Sequence, residues 1–349
     1  MKRFIIPLLG ILVAGCVTDN TGSTGEQAKE YLELWMAKWN QDNGKNVQPT
    51  DLGLYILDDI PGPATADLWS ADLPYTYAVV TIRSLNGKVS STDDPDIAKQ
   101  IGTYSTTSYF GPKVIINGEN YNYAGIEAAL KDMRMGGKRT VVIPSWLLTT
   151  SRYSSIDKYL EACTSSSHLI YTIEVREQFA DVTEWEKANI LAYVNANFPG
   201  ATPTLMPDAE DGAEPDGTYW FITDVTGFSE DDIRSETDSG YSLNYTGKRL
   251  DGTVFDTSVM KTAVDNDIYN SSNSYSPLSV SFYSDWSSTT ISNSTNFVDG
   301  FKAGVSQMWW GGQKATVIFT SGHGYGASGS GAIPGYCPMV FEIELLPKE

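Results

Sequence analysis

The order of patterned segments in the second half of this chain repeats the order found in the first half. Residues 241–258, YSLNYTGKRLDGTVFDTS, are typical of a strand, an Asp-Gly turn and a second strand. Residues 76–93, TYAVVTIRSLNGKVSSTD, have the same pattern, and a shift of 165 residues places Gly87 on Gly252. A hairpin that occurs twice in this way restricts the chain to a fold that can be built twice.

Three further pairs of segments follow the same order. The helical pattern EQAKEYLELWMAKWNQDN corresponds to TEWEKANILAYVNANFPG, each ahead of its hairpin. A helix, a Gly-Gly turn and a strand at residues 125–144 correspond to residues 300–320 with a shift of 175, and the strand at 168–175 corresponds to 338–345 with a shift of 170. Changing shifts with a preserved order are what loop insertions and deletions produce. We therefore predict an α+β protein with two tandem domains, residues 27–178 and 179–349, each led by its own helix.

The bulk properties of the chain fit two globular domains and exclude one class of partner. The 349 residues are enough for two hydrophobic cores, and 41% of them are hydrophobic. The formal net charge of -19 repels phosphate backbones, so nucleic acid is excluded as a partner. We interpret the negative charge as a solvated surface that keeps the protein soluble.

The first residues, MKRFIIPLLGILVAGCVTDN, have the pattern of an export signal. The apolar run from Phe4 to Ala14 is shorter than the roughly 20 residues that span a bilayer. The segment ending in Cys16 resembles the lipobox of bacterial lipoproteins, which implies a signal peptide at residues 1–15, cleavage before Cys16 and a lipidated tether at residues 16–26. The resemblance implies a lipid-anchored protein of the bacterial cell envelope, periplasmic or surface-exposed. The alternative is an ordinary secretory signal with an incidental cysteine.

The other cysteines and the histidines argue against a metal centre. Cys163 and Cys337 lie in different halves of the chain and are interpreted as two buried free thiols. His168 and His323 are the only histidines, and no CxxC pair or Cys/His cluster occurs in the sequence. A zinc site would have almost no side chains to bind it, so we expect no metal.

Four stretches of the second copy carry a family resemblance: NYTGKRLDGTVFDTS, GFKAGVSQMWWGGQKATV, GYGASGSGAIP and PMVFEIELL. By their order and spacing, residues 218–347 resemble the FKBP-type peptidyl-prolyl cis-trans isomerases. The resemblance implies an antiparallel sheet wrapped on a short helix in each domain, a shallow apolar cup, and proline-containing polypeptides as substrates. Rotation about an X-Pro amide breaks no covalent bond, so we expect no nucleophile, metal or cofactor.

The resemblance also assigns the residues of the cup. The catalytic positions correspond to Tyr245, Phe255, Asp256, Tyr325 and Phe341. The substrate-binding positions correspond to Leu278, Phe297, Val298, Phe301 and Ile333. The sequence departs from the family in that Phe301 replaces a tryptophan at the floor, and two polar stretches, residues 259–276 and 284–296, are longer than the family's loops.

The first copy lacks the polar and aromatic groups of the cup. Val80, Ser90 and Ser91 stand where the second copy has tyrosine, phenylalanine and aspartate, and Ile126 stands at the floor. SWLLTTSRY replaces the glycine-rich SGHGYGASG. We predict that the first copy kept the fold and lost the cup. The alternative is a different pocket, for which the candidate aromatics are Tyr109, Tyr121 and Trp146.

Two functional hypotheses of different classes follow. The leading one is a membrane-anchored prolyl isomerase, or folding helper, that acts on exported polypeptides. The alternative is a lipoprotein that retains the fold as a non-catalytic scaffold for binding proteins or peptides. Binding of surface glycans has no motif in its favour, and the glycine-rich stretch lacks the G-x-S-x-G spacing of a serine hydrolase.

Overall fold

The computed structural model describes residues 23–201, 218–224 and 233–348. The predicted signal peptide, Cys16 and most of the predicted tether lie outside the described residues. Helix α1 begins at Thr24, behind a capping box made by Ser23 and Glu26, so the last residues assigned to the tether are helical. Among the described helices, none combines the length and the apolar character needed to cross a bilayer.

The first domain, described throughout, is a sheet with a helix on each face. Its strands follow the order β1-β5-β6-β2-β3, all pairs are antiparallel, and β4 pairs with the free part of β2. The elements are α1 Thr24–Asn43, β1 Tyr55–Ile60, β2 Tyr75–Ser84, β3 Val89–Thr92, α2 Pro95–Gln100, β4 Lys113–Ile116, α3 Ala124–Leu130, β5 Lys138–Ile143, α4 Ile156–Ala162 and β6 Leu169–Phe179.

The second domain has the same sheet with one additional strand. Its described strands follow the order β7-β12-β13-β8-β10-β11, and β9 pairs with β8. The elements are α5 Val182–Asn197, β7 Tyr219–Asp224, β8 Asp238–Arg249, β9 Val254–Thr257, α6 Met260–Asp265, β10 Leu278–Phe282, β11 Thr290–Ile291, α7 Asp299–Ser306, β12 Lys314–Phe319 and β13 Met339–Leu345. Strand β11 comes from the longer polar stretch at 284–296.

Strand registers confirm that one fold occurs twice. Thr81 pairs with Thr92 in the first hairpin, and their hydroxyl oxygens lie 2.7 Å apart. Thr246 pairs with Thr257 in the second hairpin, with the hydroxyl oxygens 3.1 Å apart. Both pairs obey the shift of 165 residues that the sequence predicts. Sheets of equal strand order and matching cross-strand contacts show that the two domains share their topology.

The predicted shift of 175 residues between segments 125–144 and 300–320 is wrong by one residue for the second part of these segments. Helices α3 and α7 differ by 175 at their first residues, as predicted, but α7 is one residue longer. The following strands differ by 176, since Lys138 pairs with Glu174 where Lys314 pairs with Glu344. The left-handed turn glycines accordingly are Gly136 (φ 79°) and Gly312 (φ 87°). The extra residue is accommodated at the helix end, where backbone bonding changes anyway.

The leading helices cover the outer face of each sheet. Helix α5 packs Ile190 and Val194 against Trp220, Ile318 and Val340. Because side chains alternate along a strand, these three residues face away from the cup side of the sheet. Helix α1 buries Leu32 and Met36 in a cluster that includes Tyr55, Val142 and Ile170, the residues that the registers make equivalent. Tyr31 on α1 and Leu191 on α5 are exposed.

The short helices α3 and α7 close the inner face of each sheet. A Cβ atom on Gly125 would lie 2.2 Å from Ile143 Cγ2, and one on Gly300 would lie 2.3 Å from Phe319 Cγ. Both helices therefore approach the sheet through a glycine.

Cys337 is a buried free thiol, as predicted, whereas the Cys163 thiol is only half-buried because it lies at the end of α4.

His168 joins α1 to the first sheet. Its Nδ1 accepts a hydrogen bond from the Ser145 backbone N–H at 3.0 Å, and its Nε2 lies 3.0 Å from the Ala28 carbonyl oxygen. Nε2 therefore carries the proton, and the ring is neutral. Burial lowers the pKa of His168 to about 4, against an ordinary value of 6.5.

We predict that replacing His168 by glutamine removes a pH dependence of stability. The unfolded chain binds a proton on His168 near pH 6.5, whereas the native protein binds one only near pH 4. The unfolded state therefore holds more protons between these values, and the free energy of unfolding falls as the pH falls through this range. Urea denaturation of both proteins between pH 4 and 7 measures the difference. Parallel pH profiles for the two proteins would contradict the prediction.

Candidate functional site

Four aromatic rings of the second domain meet between helix α7 and the inner face of the sheet. The ring centroids of Phe301, on α7, and Phe341, on β13, are 4.8 Å apart. Tyr245, on β8, meets Phe301 edge-on at 5.5 Å, and Phe255, on β9, meets Phe341 at 5.7 Å. Phe301 and Phe341 are buried, while Tyr245 and Phe255 are half-buried. We call this aromatic cluster the cup, with the buried pair as its floor and the half-buried pair as its wall.

Strand geometry explains why distant residues meet here. Tyr245 and Gly247 are two residues apart on β8, so both face the inner side of the sheet. Gly247 pairs with Phe341 across β13 and with Asp256 across β9. The tight turn at Gly252 returns the chain so that Phe255 lies beside the same position. The sequence thus builds the cup from one hairpin and the strand next to it.

The absence of a side chain at Gly247 lets two of these rings pack against strand β8. A Cβ atom at this position would lie 2.6 Å from Phe255 Cε2 and 2.9 Å from Phe341 Cε1. Gly247 was not among the residues predicted from sequence. Its signal was an isolated glycine inside a strand pattern, which often marks a close approach of other groups.

The first domain fills the same space with a side chain. Ile82 pairs with Ser91 and Tyr171 in the way that Gly247 pairs with Asp256 and Phe341. Ile82 belongs to the hydrophobic core of its domain, together with Val80 and the buried Ile126. The first domain therefore has a side chain at this strand position, whereas in the second domain two aromatic rings pack against the bare backbone.

Tyr245 and Asp256 form a polar pair at the rim of the cup. The Tyr245 hydroxyl donates to Asp256 Oδ2 at 2.7 Å, and Asp256 Oδ1 accepts the Thr257 N–H at 2.9 Å. Burial, and then the negative charge of Asp256, raise the pKa of Tyr245 well above its usual range. The phenol therefore stays protonated, and Asp256 fixes its orientation while remaining exposed itself.

A glycine-rich turn, residues 321–333, forms the opposite rim and is called the flap. Tyr325 lies in the flap and is 42% exposed, so its hydroxyl is available to a ligand. Burial, and then the negative charge of Asp256, raise the pKa of Tyr325. Ile333, at the end of the flap, is buried in the same cluster as the floor.

The remaining predicted contacts lie around the start of α7 and β10. The Phe297 ring centroid is 5.8 Å from that of Phe301, and Val298 is the residue that precedes α7. Leu278 begins β10 and packs against the cluster from the side of the hairpin. All ten predicted cup residues therefore surround one region of the second domain, whereas their individual roles remain predictions.

The longer polar loop at 259–276 borders the cup. A cavity of about 350 Å³ lies beside Tyr245 and Asp256, and its far wall consists of Ser272, Asn273 and Ser274. Leu278 lines it as well. The loop thus adds a polar compartment next to an aromatic one.

The alternative pocket predicted for the first domain is not assembled. Trp146 is a core residue whose indole N–H donates to the Leu52 carbonyl at 3.0 Å. Tyr121 is 71% exposed. Tyr109 donates to the Pro112 carbonyl and lies under the Arg249 guanidinium of the second domain, 4.9 Å from its carbon. The three aromatics therefore have three separate environments: Trp146 packs in the core, Tyr121 lies at the surface, and Tyr109 lines a cavity of about 450 Å³.

Comparison with known proteins supports the resemblance seen in the sequence. Residues 279–346 match the family model described as FKBP-type peptidyl-prolyl cis-trans isomerase. No curated protein sequence matches this chain.

Two solved structures are among those that this chain is similar to. The three FKBP domains of wheat FKBP73 are 16% identical, with a TM-score of 0.27, covering 87% of this chain and 98% of that one. A peptidyl-prolyl cis-trans isomerase from Pseudomonas syringae pv. tomato is 19% identical, with a TM-score of 0.29, covering 47% of this chain and 91% of that one. The likeness to FKBP-type peptidyl-prolyl cis-trans isomerases is thus carried by residues 279–346, which lie in the second domain.

Proposed function

We propose that the second domain isomerises X-Pro peptide bonds in exported polypeptides, and that the protein works from a lipid anchor on Cys16. The observation that carries the proposal is the cup in a domain whose residues 279–346 match this family: a floor of Phe301 and Phe341, a glycine at 247 that lets aromatic rings pack on the strand, and polar groups at both rims. The client class and the anchor rest on the sequence of the first residues.

The chemistry of the cup suits a twisted amide. A planar X-Pro amide crosses a barrier of about 18–20 kcal/mol because twisting removes its resonance. Twisting also reduces the charge separation of the amide, so aromatic surroundings with little water stabilise the twisted form more than the planar forms. The exposed Tyr325 hydroxyl can hold a neighbouring carbonyl of the polypeptide in place.

The position of α1 supports a role for the first domain as a spacer. Seven residues, 17–23, separate Cys16 from the first helical residue, Thr24. Such a segment spans at most about 25 Å, since an extended chain gains roughly 3.3–3.6 Å per residue. The first domain would lie next to the membrane, and the second domain would reach clients farther away.

A non-catalytic binding protein is the second candidate. It is favoured by the loop that places Ser272, Asn273 and Ser274 beside the Tyr245–Asp256 pair, where this polar wall can hold a ligand and slow its release. Binding of an FKBP-directed macrolide or a proline-containing peptide, without acceleration of isomerisation, identifies this candidate.

We predict that replacing Gly247 by isoleucine, the residue of the first domain, closes the cup. Even the first carbon of the side chain would overlap the Phe255 and Phe341 rings. We expect macrolide affinity and kcat/KM for an X-Pro peptide to fall by at least about tenfold, because overpacking costs about 1–3 kcal/mol and a tenfold change corresponds to about 1.4 kcal/mol. A protease-free isomerisation assay and calorimetry measure both quantities.

The matched control for this change is Ile82→Val in the first domain, which we expect to leave both quantities unchanged. Circular dichroism checks that each variant is folded. Unchanged binding and turnover in folded Gly247→Ile protein would show that ligands do not enter between Phe255 and Phe341.

We predict that replacing Tyr245 by phenylalanine together with Asp256 by asparagine lowers kcat/KM by about tenfold. The double change removes a charge-assisted hydrogen bond, which contributes roughly 1.5–3 kcal/mol. Relaxation of a cis X-Pro peptide measures the effect, and Tyr283→Phe, an exposed tyrosine at a distant cavity, serves as the control. Full activity in the double variant would assign catalysis to other groups.

A further inference from the structure

A buried carboxylate from outside the matched family region holds the first residue of the flap. Glu186, on α5, is 1% exposed, and Ser321 is 5% exposed. The Ser321 backbone N–H donates to Glu186 Oε2 at 2.6 Å, and the Ser321 hydroxyl donates to Glu186 Oε1 at 2.6 Å. Both carboxylate oxygens are therefore used by one residue that is 135 positions away in the chain.

The carbonyl of the same serine holds the two neighbours of Tyr325. The backbone N–H groups of Gly324 and Gly326 both donate to the Ser321 carbonyl oxygen, each at 2.9 Å. Tyr325 lies between these two glycines. A series of short hydrogen bonds thus runs from Glu186 through Ser321 to the residues that set the position of the Tyr325 side chain.

A contribution to stability does not explain why the Glu186 carboxylate is buried. An ionised side chain loses its hydration in such a place, and apolar packing stabilises a protein at least as well as a buried charged group does. Burial raises the pKa of Glu186, while its two bonds from Ser321 lower it. What the carboxylate adds is direction, because it accepts two hydrogen bonds in a fixed geometry.

The serine of the first domain that is equivalent to Ser321 also has a buried hydrogen-bond partner, but a different one. Ser145 is the equivalent of Ser321, and its N–H is held by the His168 side chain. The strand registers place Pro338 at the position of His168. Proline has no side-chain hydrogen-bond acceptor, so in the second domain the acceptor comes from helix α5 instead.

We propose that Glu186 is a positioning residue for Tyr325, which makes helix α5 a part of the functional unit of the cup. The inference rests on the proposed function, in which Tyr325 holds a carbonyl of the client. Helix α5 lies outside the matched residues 279–346, so the working enzyme is larger than the family region.

The test is a double-mutant cycle in the full chain. Glu186→Ala, Tyr325→Phe and the double variant are compared by kcat/KM for an X-Pro peptide and by macrolide affinity. If Glu186 acts through Tyr325, we expect Glu186→Ala to lower both by about fivefold to tenfold in the parent protein and by less than twofold in the Tyr325→Phe background. Equal losses in the two backgrounds would overturn the proposal.

Conservative and matched variants separate positioning from folding. Glu186→Gln keeps an oxygen that accepts the Ser321 N–H and gains an amide that donates to the Ser321 hydroxyl, so we expect it to restore at least half of the activity. Glu184→Ala removes the same charge from an exposed position on α5, and we expect it to have no effect. If Glu186→Ala fails to fold, the same cycle is run with Ser321→Ala, which removes one of the two bonds.

Hydrogen exchange gives a readout that does not depend on turnover. We expect the Gly324 and Gly326 amides to exchange at least tenfold faster in Glu186→Ala than in Glu184→Ala or in the parent protein. If the parent protein does not accelerate isomerisation, the proposed enzymatic function fails, whereas faster exchange with coupled macrolide affinity still supports the positioning role. Unchanged exchange at these two amides would overturn it.

Discussion

The cup depends on the absence of a side chain at Gly247. The Phe255 and Phe341 rings come so close to this backbone that even a methyl group would overlap them. The rings in turn place Tyr245 and Phe301, because Tyr245 meets Phe301 and Phe255 meets Phe341 edge to face, while Phe301 and Phe341 pack at a tilt. Protein interiors are too densely packed to absorb such an overlap without moving the rings. The close packing of this aromatic cluster therefore requires a glycine at this position of β8.

The two domains give an internal comparison of these alternatives. Their sheets have the same strand order, and their hairpins share the pair of facing threonines. In the first domain Ile82 takes the position of Gly247, and the polar rim is replaced by Ser91 and its neighbours. The stability of the sheet does not require the cup, since the first domain keeps every pairing of the common strands. The strand topology is therefore the same whether or not the domain contains the cup.

The second domain also differs in how its flap is held. In the first domain a histidine of the terminal strand meets the turn, whereas in the second domain a carboxylate of the leading helix does so. The leading helices otherwise pack on equivalent outer positions of the two sheets. A helix that only covers a sheet needs apolar residues at every buried position. Glu186 breaks that pattern where the helix accepts hydrogen bonds from Ser321 of the flap.

The sequence by itself determined the duplicated fold and the hairpins, because these follow from period-two strands and turn glycines that are local in the chain. The set of cup residues came from the family resemblance and stays a prediction. The predicted shift between the strands that follow α3 and α7 was one residue too small, since a helix can lengthen by one residue without leaving a local signal. Only the tertiary structure decided the roles of Gly247 and Glu186. Gly247 matters through rings that approach from two other strands, and Glu186 through a serine 135 residues away. Such contacts depend on how the layers pack, and no periodicity within one segment records them.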